Sequence, residues 1–185
     1  MSLKAEGSIM KNGTDDPILS AASELIEERG VYGMSLGDIA RDLDMSKGTL
    51  YYHYPTKQAV VEAAAERCIR SVGDRLFTWV DSVSGASPED ALASLCEVML
   101  DSPGLRLFVA LYNAAEPESE LEANIDRAMS EWNVMIEVGA LRMPAEAAAR
   151  MKRILPAVLP FLCGLAALNA DGDYAKAAFT AFVLG

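Results

Sequence analysis

The chain has 185 residues, of which 51% are hydrophobic and 23% charged, with a formal net charge of −11. That apolar content excludes a largely disordered chain and allows one compact unit or two small ones, while the acidic excess excludes a protein that holds nucleic acid by bulk charge, since Lys and Arg supply most nonspecific affinity for phosphates. Three cysteines at 68, 96 and 163 match no zinc spacing and leave one unpaired if a disulfide forms, which points to a reduced, cytoplasmic setting with no metal or other cofactor.

Residues 1–14 lack periodicity and large apolar side chains and read as a disordered arm or tag outside the fold. Helix 1 opens at Asp16, a good N-cap, with Pro17 at its first position, and Ile18, Ala22, Leu25 and Ile26 line one face until Gly30 stops it. Ser35 caps helix 2, in which Leu36, Ile39, Ala40 and Leu43 keep helical spacing. Asp44 occupies a turn position where Gly is easier, although Asp tolerates a left-handed backbone better than most residues. Ser46 caps helix 3, which ends near Tyr54; Pro55 breaks it, and Thr56 caps helix 4, whose Val60, Ala64, Ile69, Val72, Leu76 and Val80 run to about residue 80.

SVSGAS (82–87) is a loop and the best subdomain boundary by composition. Ser87, Pro88 and Asp90 then give an N-cap, a first-turn proline and a capping-box acid ahead of Leu92, Leu95, Cys96 and Met99 in helix 5. Asp101, Ser102 and Pro103 start helix 6, which runs through Tyr112; Glu116 and Pro117 break it, and helix 7 carries Leu121, Ile125, Trp132 and Met135 on one side. Pro144 ends that helix. Residues 145–170 form helix 8, 171–173 (DGD) a turn, and the remainder helix 9. Period-two alternation is absent, so the class is all-α with about nine helices; the longest apolar run, 154–168, is too short to span a bilayer and holds two prolines.

Two short helices joined by a turn at 43–45, with helix 1 burying their shared face, make a helix-turn-helix arrangement, and small Ala40 sits where the two would cross. A helical bundle of any purpose can contain that motif. The composition of helix 3 argues further, because from Lys47 to His53 only Leu50 is plainly a core residue. Tyr51, Tyr52 and His53 are consecutive and at 100° per residue cannot all point inward; they can bond phosphates or base edges, and Thr49 can touch a thymine methyl. The plainer alternative packs two of the aromatics on helix 1 or 4. Lys57 places a cation at the positive end of helix 4, which a DNA phosphate would offset, although an exposed lysine there costs only a few tenths of a kcal/mol. The stretch 35–57 holds three basic and three acidic residues, so it is neutral within an acidic chain.

The run SLGDIARDLDMSKGTLYYHYPTKQAV (35–60), with helix 1 before it, resembles the amino-terminal domain of the TetR family of transcriptional regulators. The resemblance covers roughly 15–62, and the rest matches by length and helical organisation. It implies a helix-turn-helix DNA-binding domain over 15–62 and a helical regulatory and dimerisation domain over 63–185, sharing helix 4. It also implies that helix 3 enters the major groove, with base or phosphate contacts from Lys47, Gly48, Thr49, Tyr51, Tyr52 and His53, a phosphate clamp at Lys57, and Ser35 as a further phosphate contact. Gly37, Asp38, Asp44 and Tyr54 depart from the family pattern, the first two where many members offer a polar or basic contact.

Helix 8 becomes apolar on nearly every face after Arg153, more than one chain readily covers. Pairing residues 145–185 of two copies about a two-fold axis would bury that surface, as in TetR-like homodimers, and would present two recognition helices one DNA turn apart to a palindromic operator in double-stranded DNA. A central core helix in a monomer has the same pattern. Trp79, Met99, Phe108, Tyr112, Asn113, Met129, Trp132 and Met135 suit either a core or, as the resemblance implies, a pocket for a small apolar effector. No P-loop, GxGxxG, GxSxG or HExxH is present, so the expected protein is not an enzyme but a cytoplasmic repressor released from its operator by an effector. The rival reading is a helical ligand-binding or protein-interaction module that has lost DNA binding.

Overall fold

The computed structural model describes residues 17–101, 104–170 and 172–185; the expected arm at 1–14, the cap at Asp16, the helix start at Ser102–Pro103 and the first residue of the 171–173 turn lie outside them. The described residues form nine helices and no strand: α1 (Pro17–Gly33), α2 (Leu36–Asp42), α3 (Lys47–His53), α4 (Lys57–Ser82), α5 (Pro88–Leu100), α6 (Leu105–Tyr112), α7 (Glu120–Ala140), α8 (Ala145–Ala167) and α9 (Gly172–Leu184). The chain divides into two compact units, Met1–Arg67 and Cys68–Gly185. The division falls inside α4 rather than at the 82–87 loop, which joins α4 to α5 within the second unit.

In the first unit, Ile18, Leu19, Ala22, Leu25 and Ile26 of α1 are buried with Ile39 and Ala40 of α2 and Val60, Val61 and Ala64 of α4. Gly30 adopts φ 70°, a left-handed conformation that halts α1 as expected, but the chain regains one helical turn before Met34. Arg67 of α4 reaches α1, donating to Ser20 Oγ (3.0 Å) and Ser23 Oγ (2.9 Å), while Ser23 donates to the Leu19 carbonyl. A buried guanidinium is tolerated here because hydroxyl oxygens meet both of its terminal nitrogens.

In the second unit, α5 packs on α9 and α8, α6 on α8, and α7 on α8. Ser87 caps α5 by accepting from Asp90 N–H (3.1 Å) and donating to its carboxylate, and Ser119 caps α7 by accepting from Glu122 N–H. α6 begins at Leu105 with Gly104 as its N-cap, one turn later than Asp101 had suggested. The buried face of α7 runs Leu121, Ile125, Ala128, Trp132, Ile136 and Gly139, so Ile136 and not Met135 continues the stripe. α8 is unbroken through Pro156 and Pro160.

Trp79 ties three helices of this unit. Its indole N–H donates to the Ala91 carbonyl (3.1 Å) and to Ser94 Oγ (3.2 Å) of α5, and its ring lies on Gly139 of α7, where an added Cβ would stand 2.1 Å from Trp79 Cζ3. The ring cannot retreat without breaking those hydrogen bonds. Gly139→Ala gains about 1 kcal/mol of helix propensity but overpacks a fixed indole, typically at about 1–3 kcal/mol and here at the upper end. A net loss of stability is therefore expected, read as a lower urea midpoint by circular dichroism.

Candidate nucleic-acid interface

α2 and α3 are joined by a turn whose hydrogen bonds close both ends. Met45 N–H donates to the Ala40 carbonyl (2.9 Å) and Asp44 N–H to that of Arg41 (3.1 Å), the paired 6→1 and 5→2 bonds of a Schellman close, with Asp44 at φ 49° in the left-handed position. Asp thus holds the conformation that glycine would adopt freely, as its sequence position predicts. Immediately after it Ser46 caps α3, accepting from Thr49 N–H (3.1 Å) and sharing a hydroxyl hydrogen bond with Thr49 Oγ1 (2.8 Å).

Leu50 is the one buried residue of α3, at 0% exposure. Lys47, Gly48, Thr49, Tyr51 and Tyr52 are exposed, the last two at 49% and 84%, and His53 is half-buried with its ring edge-on to Tyr52 at 5.3 Å. The alternative in which the tyrosines pack inward does not occur. Tyr54, the C-cap, is half-buried. The first turn of α4 is capped by Thr56, which accepts from Ala59 N–H (3.0 Å), and Lys57 there donates to the Tyr32 carbonyl at 3.4 Å. Its cation is thereby shared with the end of α1, which offsets part of the unfavourable placement against the helix dipole.

Ser35 is exposed, but its hydroxyl proton is committed: Oγ donates to Asp38 Oδ2 at 2.6 Å and accepts from Asp38 N–H at 3.2 Å, a reciprocal cap. The pattern Ser35-Leu36-Gly37-Asp38 carries that capping signal, and in the free protein the serine hydroxyl proton is occupied by Asp38. Ser35's hydrogen bond, followed by Arg41 at 2.7 Å, holds the Asp38 carboxyl below its ordinary range. Arg41, which sequence reasoning passed over, is exposed on α2 yet held by Asp38 and by Asp42 at 3.6 Å, so its charge is already met. Gly37 matters by its size: a Cβ there would come within 3.9 Å of Lys47 Cε and 4.0 Å of Nζ, so the lysine stem lies along the start of α2.

The residues expected to line an effector pocket fall differently. Trp79, Met99, Phe108 and Trp132 are closed core, with Phe108 and Trp132 rings 4.7 Å apart. Met129 and Met135 are half-buried, and Tyr112 and Asn113 are exposed at the end of α6. A cleft of 590 Å³ in this unit is lined instead by polar and small residues, among them Glu97, Asp101, Asn169 and Lys176. Lys176 is paired with Glu97, whose hydrogen bond raises its pKa. Burial pushes the Cys96 and Cys163 thiols up to about 11, so neither is a thiolate at neutral pH, and none of the three cysteines is in a disulfide. Among the described residues no group of His, Cys, Asp and Glu is placed to hold a metal ion, and no helix is long and apolar enough to cross a membrane.

A capped turn with one core anchor and a row of outward tyrosines, histidine and lysine on a second short helix defines a helix-turn-helix module followed by a helical domain. The profile of the amino-terminal domain of the bacterial regulatory proteins of the tetR family matches residues 18–64. The negative transcriptional regulator IcaR of the biofilm operon icaADBC in Staphylococcus aureus is 29% identical over 112 residues, spanning 60% of this chain and 58% of that relative's length. In solved structures, a Saccharomonospora viridis protein described as a transcriptional regulator, in complex with choline, aligns with a TM-score of 0.72 at 20% identity over 91% of this chain and 94% of its own. AibR, crystallised with isovaleryl coenzyme A and operator DNA, aligns with a TM-score of 0.64 at 17% identity over 90% of this chain and 95% of its own. At these identities the two structures show the fold alone, over about nine tenths of the chain. Residues 18–64 are thus similar to the amino-terminal domain of the tetR family of bacterial regulatory proteins.

The strained position in the turn gives a stability test. A left-handed residue other than Gly costs about 1–2 kcal/mol and glycine's added backbone freedom returns about 0.5–1 kcal/mol of that. Asp44→Gly is expected to raise stability by about 0.5–1 kcal/mol without altering the turn, measured as a higher urea midpoint at an unchanged slope.

Proposed function

We propose that the protein is a cytoplasmic, sequence-specific DNA-binding repressor, not an enzyme, that works as a homodimer and is released from a palindromic operator by a small effector. The observation that carries the DNA-binding reading is the exposure of Tyr51 and Tyr52 beside Lys47 on a helix with a single buried residue. Helix α3 enters the major groove. Lys47 and the α3 backbone at Gly48 take phosphates, and Thr49, its hydroxyl held by Ser46, offers its methyl to a thymine. Tyr51, Tyr52 and His53 reach base edges or sugars, and Lys57 clamps a phosphate at the α4 start while keeping its hold on α1. Ser35 serves as the cap of α2 that fixes the angle of entry. IcaR's description as a negative regulator supports repression, and AibR's operator complex supports duplex DNA as the partner.

Dimerisation is supported by what a single chain leaves uncovered. On α8, Pro156, Ala157, Pro160, Gly164 and Leu168 are exposed while Val158, Leu159, Leu162 and Leu165 are buried, and Phe161 stacks on Phe182 of α9 at 4.3 Å beside exposed Ala177 and Ala181. Small and flat side chains on two adjacent helices let a second pair approach closely. Effector release is a shift between dimers whose recognition helices are correctly and incorrectly spaced, and α4, continuous from the first unit into the second, couples the two.

Fluorescence anisotropy with genomic fragments at two salt concentrations tests the reading. The parent is expected to select particular fragments with a modest salt dependence, and His53→Ala with Lys57→Ala to weaken that binding at least about tenfold and to lower the salt slope by about one. Fragments bound equally by parent and double variant, or no fragment selected, would leave the module without DNA binding. Gly164→Arg has open space for its side chain within one chain, where nothing lies within 4 Å of the added Cβ. It is expected to sediment as a folded monomer where the parent sediments as a dimer.

A further inference from the structure

The two tryptophans of the second unit are both in the core but are not equally satisfied. Trp79 donates its indole N–H to Ala91 and Ser94. Trp132 is 1% exposed and its ring packs on Phe108; its indole N–H is bonded to no described residue, and because Nε1 is not among the buried polar atoms left without a partner, the residue's small exposure reaches that donor. Buried tryptophans are ordinarily placed so that this donor is met.

The unmet N–H faces Gly73 in the middle of α4. A Cβ on Gly73 would stand 3.8 Å from Trp132 Nε1, an ordinary contact, and Gly73 is itself half-exposed with no left-handed φ to require glycine. Alanine would fit there and favour the helix, so glycine leaves the approach to the N–H from that side uncovered by a side chain. Met129 and Met135 flank Trp132 three residues to either side on α7, about 60° around the helix in each direction, and both are half-buried. Unbranched thioether side chains move aside at little cost. None of these groups carries a charge.

We propose that this opening is the polar anchor of the effector site, and that the effector is a neutral, largely apolar molecule bearing a carbonyl or ether oxygen. The oxygen accepts from Trp132 N–H past Gly73, and the apolar body displaces Met129 and Met135 to lie on the Trp132 and Phe108 rings. The proposal rests on the effector-responsive reading above and narrows its ligand class. Uncharged lining gives an anion no advantage over a neutral carbonyl, while a pure hydrocarbon leaves the donor unmet.

Cyclohexanone serves as the probe and methylenecyclohexane as a control of the same shape without the acceptor. The full chain, labelled with nitrogen-15, gives two indole N–H resonances, and Trp132→Phe assigns them. Cyclohexanone is expected to move the Trp132 resonance downfield in a saturable titration and leave that of Trp79 in place, whereas methylenecyclohexane does not. Gly73→Ala is expected to abolish the shift while the Trp79 resonance reports an intact fold, and Trp132→Phe to lose cyclohexanone binding seen from the ligand's own signals. No saturable shift, an equal shift with the hydrocarbon, or parent-like binding by Gly73→Ala would overturn the proposal. DNA takes no part in these measurements, so a missing shift in a protein that selects its operator defeats this inference alone, and a shift in a protein that selects no DNA upholds the site while the repressor reading fails.

Discussion

Leu50 is the contact on which the interface depends. A seven-residue helix cannot sustain itself in water, because its nucleation cost is spread over too few hydrogen bonds. α3 exists because Leu50 is wholly buried, because α2 packs beside it around the small Ala40, and because caps at Ser35 and Ser46 and the close at Asp44 satisfy the backbone on both sides of the turn. With one side chain holding the helix, the others are released from structural duty. Their exposure is a consequence of that economy of anchoring.

Charge is managed locally in the same unit. Asp38 holds Ser35 and Arg41 together, and Arg41 is further met by Asp42, so the only cation of α2 is neutralised in place. Lys47 and Lys57 remain as the cations of the α3 to α4 surface, one exposed along Gly37 and one shared with the Tyr32 carbonyl. Net acidity elsewhere, with cations left on this one surface, disfavours nonspecific attachment to polyanions and leaves recognition to local contacts.

The second unit shows a different tension, between packing and polar satisfaction. Gly139 gives up its side chain so that Trp79 can seat its ring and still reach two acceptors, whereas Gly73 gives up its side chain beside an indole that reaches none. The same substitution of space for side chain closes one position and opens the other. On the outer side, α8 and α9 leave small and flat apolar groups bare around the stacked Phe161 and Phe182.

What the linear pattern disclosed is what depends on neighbours within about four residues. The caps at Ser35, Ser46, Thr56 and Ser87, the left-handed Asp44, the lone inward Leu50 and the all-helical class follow from hydrogen bonds and periodicities of that range, and the family pattern over 35–60 lies on those same elements. The bond between Ser35 and Asp38 belongs to this group too, since the partner is three residues away. The residues expected around an effector are another matter: an apolar stripe looks alike whether it faces a void, a core or a second molecule. Whether Ile136 or Met135 continues the α7 face, whether Met99, Phe108 and Trp132 close on one another, and which glycine meets which indole were settled by the pairing of helices far apart in the chain. Burial is a property of what lies opposite, and that partner is chosen only when the helices assemble.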